Sequence, residues 1–111
     1  MYIYRLQILS SKSYSEEQLN NIIGVSSNFL YANWGIEIIQ SGENFSEILV
    51  YFLSLLEGKY EKLESIGISR EDISIWVLYE YEGQCNMEYD PVSMKKIGEN
   101  GIVLCISCWE K

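Results

Sequence analysis

ISIWVLYEYEGQCNMEYDP, residues 73–91, decides the architecture expected of this chain. Ile73 to Glu80 is rich in β-branched and aromatic residues, and Gln84 to Tyr89 alternates apolar with polar, so both stretches read as strands. Tyr81-Glu82-Gly83 then forms a three-residue hairpin loop, whose third position is left-handed and suits glycine. In that register Ile75, Val77 and Tyr79 share a face with Cys85, Met87 and Tyr89. Trp76, Leu78 and Glu80 share the other with Gln84, Asn86 and Glu88. A slip of one residue would turn Trp76 into a core residue instead. Asp90-Pro91 closes the stretch as a helix start, because Asp accepts from free backbone donors and Pro lacks the donor that the first helical position would leave unpaired.

Working outward, Tyr2 to Leu9 alternates as a strand with one better-buried face. Ser15 and Gln18 form a capping box for a short helix that carries Leu19, Ile22 and Ile23 and stops at Gly24. Residues 25–33 keep neither period and read as a loop, followed by a strand at Trp34, Ile36 and Ile38. Asn44 caps, with Glu47 reaching back, an amphipathic helix of roughly 22 residues that runs through Phe45, Ile48, Leu49, Phe52 and Leu63 to Ile66. Gly58 kinks it and Gly67 ends it. Tyr31, Trp34 and Tyr51 have apolar neighbours at strand or helix spacing and read as packing aromatics. After the Pro91 helix stops at Asn100-Gly101, a final strand runs from Ile102 to Trp109. The expected fold is a single α+β domain over residues 1–111. It has a five-stranded, mostly antiparallel sheet with helices on one face, in the order β-α-β-α-β-β-α-β, a ferredoxin-like core with a strand and helix added in front.

Composition narrows the partners. Sixteen acids against eight bases give a formal charge of −8, and 48% of the residues are apolar or aromatic, enough for one core. That charge argues against nucleic acid and anionic membranes, both polyanions, and for a basic protein partner. The longest apolar run, Ile48 to Leu53, is too short to span a bilayer. The first residues show no basic segment leading into an apolar core and a cleavage site, so a cytoplasmic location is expected. The three cysteines, an odd number, fit a reducing compartment better than a disulfide framework. Cys105 and Cys108 form a C-x-x-C on a β-rich run, where residues three apart face opposite ways and the sulfurs do not meet.

Chemistry is constrained by the absence of histidine, which removes Ser-His-Asp and Cys-His arrangements and histidine-ligated metal sites. No glycine-rich phosphate loop is present, and no cofactor or metal is expected. Glu80, Glu82 and Glu88 have the functional groups for acid–base work or for oxygen ligation of a divalent cation. Sheet surfaces commonly carry such residues for solubility, so no catalytic residue is assigned and the chain is not expected to be an enzyme. Carboxylates interleaved with aromatics suit a protein partner better: the charge steers it and the rings supply contact area. The residues assigned to that surface are Trp76, Glu80, Glu82, Asn86 and Glu88.

From Trp76 to Trp109, with YEYEGQCNMEYDP, a short helix ending in a glycine turn, and VLCISCWE, the chain resembles a bacterial family of small α+β domains known as domain of unknown function 4279. Trp34 and the long central helix fit that pattern more loosely, and the 25–33 connection is shorter than in the broader family. The resemblance implies a fold and no activity, although members are similar to immunity proteins encoded beside bacterial toxins. With the acidic charge, it makes an immunity protein that neutralises a basic toxin domain, such as a nuclease, the leading expectation. A regulatory or housekeeping binding module is the alternative.

Overall fold

The computed structural model describes residues 1–111 and contains a four-stranded mixed sheet, not the expected five-stranded, mostly antiparallel one. The elements are β1 (Tyr2–Ile8), α1 (Glu16–Ile23), β2 (Trp34–Gln40), α2 (Phe45–Leu56), α3 (Tyr60–Ser65), β3 (Ile73–Tyr81), α4 (Pro91–Asn100) and β4 (Val103–Glu110), with a 3₁₀ turn at Arg70–Asp72. Their order is β-α-β-α-α-β-α-β. Across the sheet the strands lie β2-β1-β3-β4; β1 is antiparallel to both neighbours, and β4 runs parallel to β3.

The expected hairpin fails for a reason of topology. Both edges of β3 are already taken, by β1 from Ile73 to Tyr79 and by β4 from Ser74 to Tyr81, which leaves no edge for residues 84–89. Gly83 does take the left-handed conformation, at φ 73°, and the Gln84 amide donates to the Glu82 carbonyl at 2.8 Å. Beyond that turn, however, the chain drops toward the helix side and leads into α4, the crossover that a parallel pair requires. The alternation in 84–89 survives without a ladder: Met87 and Tyr89 pack on the core, while Gln84, Asn86 and Glu88 are exposed.

One hydrophobic core lies on one face of the sheet, between Tyr4, Leu6, Ile8, Trp34, Ile36, Ile73, Ile75 and Val77 and the buried sides of the helices. Ser15 accepts from the Gln18 amide at 3.1 Å and Gly24 closes α1 at φ 90°, but the Gln18 side chain makes no return bond to the Ser15 amide, so only half of the expected capping box forms. The long helix expected after Asn44 is instead two helices. Glu57 at ψ 125° and Gly58 at φ 75° break it, and α3 buries Leu63 completely. Asn44 makes no side-chain cap; the Phe45 amide donates to Glu43 at 2.6 Å, and the Asn44 amide to the Tyr4 hydroxyl at 2.9 Å.

The loop over residues 25–33 protects one edge and part of the open face. Ser27 and Asn28 pair with Gly35 and Glu37 along the outer edge of β2, satisfying groups that an edge strand otherwise leaves free. Phe29 lies over Gly35, with the Arg5 guanidinium 3.9 Å from its ring centroid, and Arg5 is held by Glu37 at 2.7 Å. Tyr31, read as a packing aromatic, is 88% exposed, and Tyr51 is exposed as well; only Trp34 of that trio is in the core. A Cβ at Gly35 would stand 3.0 Å from the Phe29 Cβ and 3.2 Å from the Leu6 carbonyl. Gly35→Ala is therefore expected to displace Phe29 at a cost of about 1–3 kcal/mol. Thermal unfolding measures the loss, and faster proteolytic cutting within 25–33 locates it.

Candidate binding surface

The pairing registers bring a set of distant residues to one end of the molecule. Tyr2 faces Tyr79 and Gln40, and Tyr81 faces Glu110, so the carboxyl ends of β2, β3 and β4 meet the start of β1. The loop after β2 supplies Glu43 there, and the segment after β3 supplies Glu82, Glu88 and Asp90. Glu82 pairs with Lys111 at 3.7 Å, while Glu43, Glu88 and Glu110 form no ion pair. Asp90 is engaged locally: the Ser93 amide and hydroxyl each donate to it at 2.8 Å, which holds its carboxyl below the usual range.

Aromatic rings are packed among these carboxylates. Tyr2 stacks on Tyr79 at 4.3 Å between centroids and on Tyr4 at 6.0 Å, and Phe45 meets Tyr89 edge-on at 5.1 Å. Such offset and edge-to-face pairs rigidify the cluster beyond the area that they bury. Tyr2, Tyr4, Phe45, Val77, Met87 and Tyr89 wall a cleft of about 250 Å³, with Glu43, Asn86 and Glu88 on its rim, and it adjoins a wider acidic depression beside Asp90. The Tyr89 hydroxyl is buried with no hydrogen-bond partner.

Burial pushes the Tyr2 and Tyr89 hydroxyls up to about 12; the neighbouring Tyr79 adds to the effect for Tyr2, and Tyr4 and Glu43 for Tyr89. A pKa raised in the fold means that the neutral phenols stabilise it fully below their ordinary value of 10.0, and that this contribution is lost as pH rises through about 12. Burial raises Tyr4 and Tyr60 as well, so absorbance titration is expected to show a late-ionising group of tyrosines that includes Tyr2 and Tyr89. Unfolding in alkali should move to higher pH in Tyr2→Phe and Tyr89→Phe; unchanged titration in both would sink the assignment.

The five residues assigned from the sequence do not form one face. Trp76 and Glu80 lie on the open side of the sheet, where Trp76 sits between Arg5 and Cys105, its indole donating to Ser74 at 3.0 Å. Glu80 accepts from the Trp109 indole at 3.2 Å. Glu82 is in the turn, and Asn86 and Glu88 line the cleft on the helix side. What unites Glu80, Glu82, Asn86 and Glu88 is the end of the molecule, with Trp76 farther along β3. Tyr2, Tyr4, Glu43, Phe45 and Tyr89 were not assigned from the sequence. Four of these five lie far from the acidic stretch in the chain, and only strand pairing brings them to it.

The remaining chemistry is sparse. No three thiols or carboxylates gather closely enough to hold a metal ion. Cys105 and Cys108 take opposite faces of β4, opposite Trp76 and Tyr79 respectively, and all three cysteines are unpaired. Burial pushes the Cys85 thiol up, with neighbouring Cys108 adding to it. No helix is long and apolar enough to cross a membrane. No family model, curated protein or solved structure matches the chain.

Proposed function

We propose that this chain is a non-catalytic binding protein that receives a basic protein partner at its acidic, aromatic end, and that it serves as an immunity protein against a toxin domain. The observation that carries this reading is the gathering of Glu43, Glu88 and Glu110, without ion pairs, around a tyrosine cluster. Unpaired carboxylates concentrated at one end produce a directed field, and rigid aromatics offer contact area at low entropic cost. A surface of this kind is suited to occupy a site built for phosphates, which is why a basic nuclease is the preferred target. We propose the resemblance of residues 76–109 to the domain of unknown function 4279 family as a further analogy with immunity proteins, one that stands on the sequence pattern alone.

The test begins with the neighbouring gene. If it encodes a secreted toxin, co-expression of this chain should restore growth, and the purified pair should form a stable complex that dissociates as salt rises. A neighbour unrelated to toxins, or a toxin that kills equally well with and without the chain, would leave the regulatory-module reading in its place.

A further inference from the structure

We propose that Cys85 and Cys108 form a dithiol site that a hydroperoxide closes into a disulfide, tethering the segment between β3 and α4 to the end of β4. The site goes beyond the partner reading and does not depend on it. Its placement comes from the fold. Cys108 pairs in register with Tyr79, whose ring stacks on Tyr2 at 4.3 Å, so the Cys108 side chain lies on the core side of the sheet. Gly83, at φ 73°, turns the chain back on that same side, where Met87 and Tyr89 pack on the core and Cys85 shares their alternation. The Lys111 amide donates to the Tyr81 carbonyl at 2.8 Å, which brings the end of β4 level with the start of the returning segment. The two thiols consequently lie within hydrogen-bond reach of each other. Cys105 is on the opposite face beside Trp76, turned away from both.

The segment is one that a covalent tether would change. Residues 85–89 lie outside every helix and strand and make no backbone–backbone hydrogen bond; Met87 and Tyr89 hold them by packing. A small shift that brings the sulfurs to the roughly 2.05 Å of a disulfide therefore breaks no ladder. Glu82 and Glu88 flank Cys85, so the bond would also fix two carboxylates of the acidic end. Packing does not account for the pair, because Cys108 is exposed.

That exposure makes Cys108 the sulfur an oxidant reaches first, and Cys85, half-buried with its thiol pushed up by burial, is the resolving partner. The Cys108 thiolate attacks the terminal oxygen of the hydroperoxide: an S–O bond forms, the O–O bond breaks, and the leaving alkoxide takes up the thiol proton. Cys85 then gives up its proton and attacks the sulfenic sulfur, forming the S–S bond and expelling hydroxide, which leaves as water with that proton. The thiols lose two electrons and the peroxide gains them. A dithiol reductant reverses the change by exchange.

The experiment treats the full, reduced chain with hydrogen peroxide, blocks the remaining thiols with N-ethylmaleimide and maps peptides by mass spectrometry without reductant. Cys85 and Cys108 should be joined within one chain and Cys105 blocked, with dithiothreitol restoring all three thiols. Closing residues 85–108 into a loop should raise the melting temperature by about 8 °C or more. Cleavage after Glu88 by a glutamyl protease under native conditions should slow by about fivefold or more, because it needs the segment to open locally. Cys105→Ser should respond as the parent does. Cys85→Ser should stop at a Cys108 sulfenic acid that dimedone traps, and Cys108→Ser, at an exposed position that leaves the fold intact, should show no gain in melting temperature with peroxide. Three free thiols after peroxide, a bond to Cys105 or between chains, or a Cys85–Cys108 bond that alters neither melting nor cleavage overturns the proposal.

Discussion

Trp34→Ala is expected to lower the melting temperature by about 12–20 °C, from a loss of about 3–5 kcal/mol at roughly 4 °C per kcal/mol for a domain of this size. Trp34 begins β2, faces Ile8 across the ladder and is completely buried in the cluster that holds Leu19, Ile22 and Ile23 of α1. Little besides this layer joins α1 to the sheet, so truncation leaves a cavity that the helix cannot close without moving. The indole also donates to the Val25 carbonyl at 3.3 Å, tying down the loop that covers the β2 edge. A typical domain has only about 5–15 kcal/mol of stability, so the variant should sit near the unfolding threshold at growth temperature. Urea titration separates cause from artefact: the midpoint should fall while the slope stays unchanged. Trp34→Phe keeps most of the volume and should lose far less. A full-length Trp34→Ala protein with a midpoint within experimental error of the parent would show that the core does not depend on this ring.

That dependence is readable in the sequence, because Trp34, Ile36 and Ile38 alternate against Gly35 and Glu37, and α1 announces itself by its cap and its glycine stop. Elements bounded by local chemistry are legible in this way. Strand pairing is not. The alternation of Cys85, Met87 and Tyr89 is the same whether those residues face the core from a strand or from an irregular segment, and only competition for the β3 edges decides between the two. A parallel β3–α4–β4 unit takes the edge that the hairpin needed. The break at Gly58 is hidden for a related reason: the apolar spacing continues across it to Leu63, and only the backbone, with Glu57 at ψ 125° and Gly58 at φ 75°, shows where the first helix ends. Of the acidic, aromatic end, the acidic half is visible within residues 80–90, while Tyr2, Tyr4, Glu43 and Phe45 reach it from about 40 to 80 residues away in sequence, a separation at which local pattern carries no information.

The altered architecture changes which carboxylates should be reversed to test the electrostatic role of that end. Glu80, an obvious choice on a strand face, accepts from the Trp109 indole and is half-buried, so reversing it mixes a charge effect with a structural one. Glu82 and Glu88 are exposed, one paired only with Lys111 at 3.7 Å and the other with no basic group, and substitutions at such positions usually change stability little. The double variant Glu82→Lys, Glu88→Lys should therefore melt close to the parent. Its association with the basic partner proposed above should nonetheless slow by about tenfold or more at low salt, because a steered encounter depends on the summed field. Raising ionic strength to physiological values shrinks the Debye length to about 8 Å, so the parent and variant rates should converge as salt rises. Convergence is the informative signature. Removing a direct interaction from the docked complex would speed dissociation mainly, and the effect would persist at high salt, whereas weakened steering slows association and fades. If the double reversal leaves the low-salt association rate unchanged with the fold intact, the acidic end does not guide the partner and the surface that binds it lies elsewhere, with the open sheet face around Trp76 the next to be substituted.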